Sequence, residues 1–425
     1  MNRLVILANA FPWGTWEPFL ETEIPFFSKF ERIDIISLSV RRSQLHKKRP
    51  LPTNTKAHAI PYRSKIFYFI YSFCLLFNPL WYSEIVFLIR NRKFTLARLI
   101  QLAVFLTRAR YEARCARKLL KKCRLDPADR TVFYAYRFAY QPLVTAFLRD
   151  ELCPNGTVIA RAHRADLYQE FAPNNYLPLR LQVASSCEEI HLISQHGVDY
   201  LKRTLPKKFH NKLKLYRLGT VGSTDGKKVS TPADRLQLVS CSNLVPVKRI
   251  SLLIAALSQV TLPITWTHFG SGELESSLKT TAANVLPPSV NVVWKGNTPN
   301  KEVISNLNTN RYDLFINVSS SEGVPVSIME ALAASIPILA TDVGGTGEIV
   351  DDSVGSLVAA DINSTDLAKE ITHLLSLLPR DRENMRVSAR KRWEDMCDAN
   401  KLYTQYADHL LTLAENSSNR QRIEK

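Results

Sequence analysis

Ser319-Ser320-Ser321-Glu322-Gly323-Val324-Pro325-Val326-Ser327-Ile328-Met329-Glu330-Ala331-Leu332-Ala333-Ala334 is the stretch whose reading decides the fold. Tyr312-Asp313-Leu314-Phe315-Ile316-Asn317-Val318 precedes it and has the apolar character of a strand. Ile336-Pro337-Ile338-Leu339-Ala340-Thr341-Asp342 and then Val343-Gly344-Gly345 follow it. The order is strand, loop, helix, strand and glycine turn, the building unit of a parallel sheet. Pro325 suits the first turn of the helix, where its missing N–H costs nothing. The free N–H groups at that start, together with the helix dipole, form an anion site. Glu322 stands just before the helix and Glu330 about two turns inside it, so the two carboxylates reach different parts of one ligand.

Working outward, the second half of the chain alternates strand-like runs at 236–242, 264–269, 291–295, 312–318 and 337–341 with helical patterns. Ile250, Leu253, Ile254 and Leu257 give the i, i+3, i+4, i+7 spacing of one buried helix face. Further helices are expected at 273–285, 300–308 and 326–334. The first half repeats the plan less regularly, with strands at 4–8, 33–38, 132–135, 157–160 and around 189–193 and a helical elaboration over about 65–124. The expectation is an α/β protein of two Rossmann-like, doubly wound domains facing across a cleft, residues 1–218 and 219–395. A polar loop at 223–233 follows the hinge. Residues 396–425 are expected to form a helix that packs back on the first domain and ends in a frayed tail.

Ligands of such sheets sit beyond the carboxyl ends of the strands, so the loops after strands carry the chemistry. A diphosphate calls for backbone N–H groups and a cation, and sugar and ribose hydroxyls call for carboxylates. The loop pattern therefore suggests a sugar nucleotide. Lys248 and Arg249 follow the strand at 236–242, and a cation at that corner suits a departing diphosphate. Gly270 and Gly272 form a glycine turn but not the full Gly-x-Gly-x-x-Gly of a dinucleotide site. In the first half, Gly14 lies in the loop 11–21 and permits close approach to a ligand. His163 lies just past the strand at 157–160, where it can donate a hydrogen bond to a sugar hydroxyl.

The bulk composition narrows the classes. A chain of 425 residues is long enough for two cores. Seven scattered cysteines, an odd number without a Cys-x-x-Cys pair, fit a reduced cytosolic protein. The opening Met1–Ala10 run reads as a first buried strand rather than a secretory signal. The net charge of +17 is lopsided: residues 41–124 hold 20 Lys/Arg against Glu84 and Glu112, whereas residues 219–395 hold 16 against 19 acids. Within the basic region, the apolar runs 66–77 and 80–89 are each shorter than the roughly 20 residues a membrane-spanning helix needs. With Arg90, Arg92, Lys93 and Arg98 just after them, they fit a peripheral contact with an anionic membrane surface. No helix-turn-helix or zinc-finger pattern accompanies the basic charge, so nucleic acid is not the expected partner.

Taken together, Glu322-x7-Glu330 with its Gly-Val-Pro turn, 242–249, Phe269-Gly270-Ser271-Gly272, Lys295-Gly296 and Val343-Gly344-Gly345 with Glu348-Ile349 resemble the retaining glycosyltransferases of family 4, which have the GT-B fold. The resemblance is strong over 219–358 and looser at 11–21 and 161–168. It implies that Glu322 contacts the donor sugar near the reacting carbon, Glu330 binds the ribose and Lys248 holds the diphosphate. It also implies that the backbone of Gly323 and Val324, with Pro325, lines the sugar and phosphate pocket. His163 would touch the donor sugar from the other domain, and Gly14 would lie near acceptor and diphosphate. The family often has arginine where Asn243 stands, and glycine where Ser335 stands. The implied activity is transfer from a nucleotide-sugar to a lipid-linked or oligosaccharide acceptor in cell-surface polysaccharide biosynthesis, without cofactor. No Asp-x-Asp metal motif occurs, and metal independence is expected. The implied location is the inner face of the cytoplasmic membrane. A sugar-nucleotide epimerase or phosphorylase, a non-catalytic relative and a nucleic-acid-modifying transferase are the rival readings.

Overall fold

The computed structural model describes residues 1–222 and 234–423, so the polar loop expected at 223–233 lies outside the described residues. The chain divides into two compact units. The first comprises Met1–Ile193, Gly197–Tyr216 and Tyr403–Lys425, and the second comprises Ser194–His196 and Arg217–Leu402.

In the first unit, short apolar runs form the strands Asn2–Ala8 (β1), Arg32–Val40 (β2), Thr55–Pro61 (β3), Arg130–Ala135 (β4), Thr157–Ala162 (β5), Glu189–Leu192 (β6) and Leu213–Leu215 (β7). They make one parallel sheet in the order β3-β2-β1-β4-β5-β6-β7. A parallel sheet is covered on both faces, so its central strands are apolar at every position. In β1, Val5 and Leu7 enter one buried cluster while Leu4, Ile6 and Ala8 enter another. The first cluster lies under the helices Leu96–Lys122 and Gln141–Leu152, which contribute Leu106, Ala113, Val144 and Leu148. The second takes in Phe27, Tyr134 and, from the helix Ala399–Ile423, Tyr406, Leu410 and Ala414. That helix runs past Asn416 to Ile423, where a frayed tail was expected.

The second unit contains Leu236–Cys241 (β8), Ile264–Phe269 (β9), Val290–Gly296 (β10), Leu314–Asn317 (β11), Ile338–Thr341 (β12) and Gly355–Val358 (β13). These also pair in parallel, in the order β10-β9-β8-β11-β12-β13. Leu253, Ile254 and Leu257 of the helix Ile250–Leu257 are buried, as their spacing requires. The decisive helix is Val326–Ala333. Pro325 is its N-cap residue, at φ −75° and ψ 111°, rather than part of its first turn. Glu330 stands four residues after Val326, which is about one turn and not two.

The elaboration of the first unit consists of the helix Lys65–Tyr71, a 3-10 turn Ser72–Phe77, the helix Pro79–Arg90 and the helix Leu96–Lys122. Asn78 ends the first leg and caps the next: its side chain accepts the Leu80 N–H at 3.0 Å. Thr95 caps the long helix in the same way, accepting the Arg98 N–H at 3.3 Å.

Candidate functional site

Each sheet reverses its strand order once. In the second unit β8, β9 and β10 run one way and β11, β12 and β13 the other, so the reversal falls between β8 and β11. The carboxyl ends of the strands at such a reversal are where open α/β sheets bind ligands. The loop after β8 makes the 3-10 turn Pro246–Lys248, and the loop after β11 carries Glu322. Lys248 and Glu322 meet at that point, with Nζ 2.5 Å from Oε1. Asn317, the last residue of β11, donates its side-chain amide to the same Glu322 oxygen at 3.5 Å. The backbone also ties the two loops together, since the Ser320 N–H donates to the Val247 carbonyl at 2.8 Å.

Close backbone contacts hold the neighbouring loops against this pair. Gly344 has φ +58°, and a Cβ there would fall 2.1 Å from the Glu322 carbonyl oxygen. Gly345 donates its N–H to the Gly323 carbonyl at 2.6 Å. On the other side, Gly270 has φ +133°, and a Cβ would fall 1.9 Å from the Ser242 carbonyl oxygen. These two positions require glycine, so the loops after β9 and β12 lie directly on those after β8 and β11. Gly272 continues the turn after β9 and is exposed. Among the described residues, none accepts the N–H of Gly323 or Val324. With Pro325 they lead into the N-terminus of the helix Val326–Ala333.

Glu330 is buried, and burial pushes its carboxyl up to about 7, against a hydrogen bond from the Asn300 amide at 2.8 Å. Arg249 has a different use from Lys248. At φ +48° it ends the 3-10 turn, and its guanidinium donates to the Val318 and Ala360 carbonyls, each at 2.7 Å. It fastens the loop after β11, and Lys248 is the cation on the carboxylate. Asn243 is exposed in the loop after β8. Glu348 accepts the N–H groups of Gln195 and His196 at 3.0 and 2.9 Å and pairs with Arg217 at 2.5 Å.

In the first unit the reversal falls between β1 and β4. After β1, Glu17 folds back in a left-handed conformation at φ +56°. Its buried carboxylate accepts the N–H groups of Asn9, Ala10 and Phe11 at 3.0–3.1 Å. Gly14 stands in this loop with its N–H given to the Lys47 carbonyl at 2.9 Å. After β4 come Tyr136, Arg137 and Gln141. Gln141 donates to the Asn9 side chain at 2.9 Å, and Arg137 Nε lies 3.7 Å from Glu17. After β5 stands His163, whose ring packs on Tyr136 with centroids 4.9 Å apart. Its backbone N–H is held by the Asp166 carboxylate at 2.6 Å. Burial, with Arg137 and Arg161 nearby, keeps the imidazole well below its ordinary pKa, so it is neutral at pH 7. Both of its ring nitrogens, Tyr136 Oη, Arg137 Nε and Gln141 Oε1 are buried without a hydrogen-bond partner among the described residues. Buried polar atoms without partners are rare, and five gathered at one strand reversal mark a place for a hydrophilic ligand.

The sequence singles out Glu322, Glu330, Lys248 and His163, which the structure places at these strand ends, and passes over Asn317, Asn300, Glu17, Tyr136, Arg137 and Gln141. Asn317 had a signal, as a polar residue closing an apolar strand. Glu17 lay inside the quoted loop 11–21 with no pattern to single it out.

Residues 223–392 match the family described as Glycosyl transferases group 1. Among curated relatives, the O-antigen biosynthesis glycosyltransferase WbnH of Escherichia coli is 41% identical over 88 residues, 21% of this chain and 24% of the relative. The putative colanic acid biosynthesis glycosyltransferase WcaL of Escherichia coli K12 is 26% identical over 55% of this chain and 58% of its own length. The chain thus covers less than two thirds of either relative. Solved structures match over nearly the whole chain. The lipopolysaccharide outer core galactosyltransferase WaaB, in its apo form, superposes with a TM-score of 0.67 at 12% identity, covering 97% of this chain and 99% of WaaB. Anabaena HepE in complex with UDP-glucose gives a TM-score of 0.62 at 15% identity, covering 97% of this chain and 100% of HepE. The fold is GT-B.

Proposed function

We propose that the chain is a retaining, metal-independent glycosyltransferase. It takes a sugar from a nucleotide-sugar and gives it to a lipid-linked or oligosaccharide acceptor during synthesis of a cell-surface polysaccharide on the cytoplasmic side. The observation that carries this reading is the Lys248–Glu322 pair at the strand reversal of the second unit, with Glu330 one turn into the following helix. The names of WbnH and WcaL, concerned with O-antigen and colanic acid biosynthesis, support the same class.

In this reading the ion pair exchanges partners. An incoming diphosphate draws Lys248 to itself and adds the Gly323 and Val324 N–H groups and the positive end of the helix Val326–Ala333. Glu322 is then released to accept hydrogen bonds from the donor sugar, with Asn317 steadying one of its oxygens. Glu330, backed by Asn300, takes the ribose hydroxyls. The acceptor hydroxyl attacks the anomeric carbon on the face from which the diphosphate departs. The protein's share of the rate is positioning and neutralisation of the leaving group. No covalent intermediate on a side chain is required.

The test is a panel of UDP-, GDP- and ADP-sugars read by release of nucleoside diphosphate, with Glu322→Gln alongside. Release from one donor, lost in the variant, supports the reading and names the donor. Full release by the variant overturns the site.

A further inference from the structure

The elaboration between residues 63 and 104 is apolar on two sides. Its inner side is core: Tyr68, Leu75, Leu88 and Leu102 are buried. Its outer side is a second set of apolar residues at helical spacing. Ile66 and Ile70, four apart, are 71% and 62% exposed. Phe73 and Phe77, again four apart, are 70% and 87% exposed. Tyr82, Val86 and Ile89 make an i, i+4, i+7 stripe on the outside of Pro79–Arg90. Leu96, Ile100 and Val104 make another on the long helix. A water-facing surface carries polar residues at these positions, and exposed apolar stripes on four consecutive elements form an interaction surface.

The elements that carry the stripes are joined to one another. The Tyr82 hydroxyl donates to the Leu76 carbonyl at 2.7 Å, joining the turn Ser72–Phe77 to the helix Pro79–Arg90. Arg110 donates to the Cys74 carbonyl at 2.9 Å, and Phe67 packs on Tyr111 with centroids 5.0 Å apart, joining the first leg to the long helix. The charges on this surface have one sign. Its two acids both point inward: Glu84 accepts from the Tyr176 hydroxyl at 2.8 Å, and Glu112 pairs with Arg108 at 3.0 Å. Arg90, Arg92 and Lys93 are exposed directly after the last apolar turn.

We propose that this surface inserts into the interface of an anionic phospholipid bilayer, with the apolar stripes among the upper acyl chains and Arg90, Arg92 and Lys93 at the headgroups. The occupant is a bilayer rather than a protein because the patch is mainly apolar, has a purely cationic edge and leaves no acid exposed. It is an interfacial mount and not a span. The legs Ile66–Phe77 and Pro79–Arg90 reach the length and apolarity of a span only together, and they meet at 90°; among the described residues no single helix is long and apolar enough to cross a membrane. The proposal rests on no part of the transferase reading.

The full chain is floated with vesicles of phosphatidylcholine alone and of an equimolar mixture with phosphatidylglycerol. It is expected to bind the mixed vesicles strongly, the neutral ones weakly, and the mixed ones less as salt rises. Phe73→Ser with Phe77→Ser removes two inserting rings and is expected to lower partitioning by about tenfold or more per side chain. Leu96→Ser with Ile100→Ser tests the long helix separately. Arg90→Gln with Arg92→Gln and Lys93→Gln is expected to lower binding to the mixed vesicles by about fivefold per charge. These side chains are exposed, so circular dichroism and melting of each variant are expected to match the parent. Failure of the parent to bind mixed vesicles overturns the proposal, as does unchanged binding in both apolar variants. A lipid-free dimer that Phe73→Ser with Phe77→Ser converts to monomer would assign the surface to a second copy of the chain.

Discussion

The two sheets reverse their strand order in the same way but treat the polar groups at the reversal differently. Between β8 and β11 the charged groups are paired: Lys248 holds Glu322, Asn317 backs it, and Arg249 is spent on carbonyls, while the buried Ser242 hydroxyl has no partner among the described residues. Between β1 and β4, and after neighbouring β5, buried atoms of Tyr136, Arg137, Gln141 and His163 have no hydrogen-bond partner among the described residues. The second unit thus holds its recognition groups in place before any ligand arrives, and binding must trade one ion pair for another. The first unit carries a standing desolvation cost of about 1–3 kcal/mol for each unpaired group. A ligand rich in hydroxyls recovers that cost, because it supplies donors and acceptors together. Pre-paired charge suits a diphosphate, and the unpaired atoms of Tyr136, Gln141, His163 and the Arg137 guanidinium suit the hydroxyls of a sugar.

The contrast breaks first at Glu322. Glu322→Gln is expected to lower turnover by roughly 10²–10³-fold, read as nucleoside diphosphate release, with circular dichroism unchanged. Activity within a few-fold of the parent would remove Glu322 from the reacting centre. Lys248→Ala is expected to weaken binding of the free nucleoside diphosphate by about 10–100-fold in calorimetry, the worth of a charged hydrogen bond. Unchanged affinity would leave the ion pair a purely structural contact.

Smaller effects sharpen the picture. Glu330 titrates near 7. If its carboxylate accepts the ribose hydroxyls, nucleotide affinity falls by about tenfold from pH 8 to pH 6, and Glu330→Gln removes the dependence. The sign for stability is the reverse. A carboxyl whose folded pKa is raised contributes stability that is fully present below its unfolded value of 4.5, so the ligand-free second unit loses stability as pH rises from there through about 7. If His163 contacts the sugar alone, His163→Ala is expected to lower kcat/KM by about tenfold while nucleoside diphosphate affinity is unchanged. Ser335, at φ +56° just past the helix Val326–Ala333, stands where glycine is favoured. Ser335→Gly is expected to add about 1 kcal/mol in thermal denaturation and to leave activity as it is.

The second sheet was the more legible in the sequence. β8, β9, β11 and β12 are central and buried, and their apolar runs announce them within a residue or two. β3, β7 and β13 were passed over. The first two are edges of their sheet with polar residues at alternate positions, and β13 is a four-residue edge opened by a glycine. The helix register was misjudged by one position because Pro325 fits a cap as well as a first turn. Glu322, Glu330 and Lys248 could be read because each sits at a fixed offset from a strand end. Tyr136, Arg137 and Gln141 could not, since what distinguishes them is the absence of partners, a property of packing and not of spacing.

The helix that follows Leu402 has a consequence in time. Tyr406, Leu410 and Ala414 complete a core that Leu4 and Phe27 begin, and all of Arg217–Leu402 is made in between. At roughly 5–20 residues per second, a nascent first unit waits about 10–40 s with part of one face of its sheet, beside Leu20, Ile24 and Phe27, uncovered. The second unit, contiguous but for three residues supplied early, has no such delay. The part of the chain begun first is therefore finished last, and its apolar face is open to chaperones or to misassociation while the other part is being made.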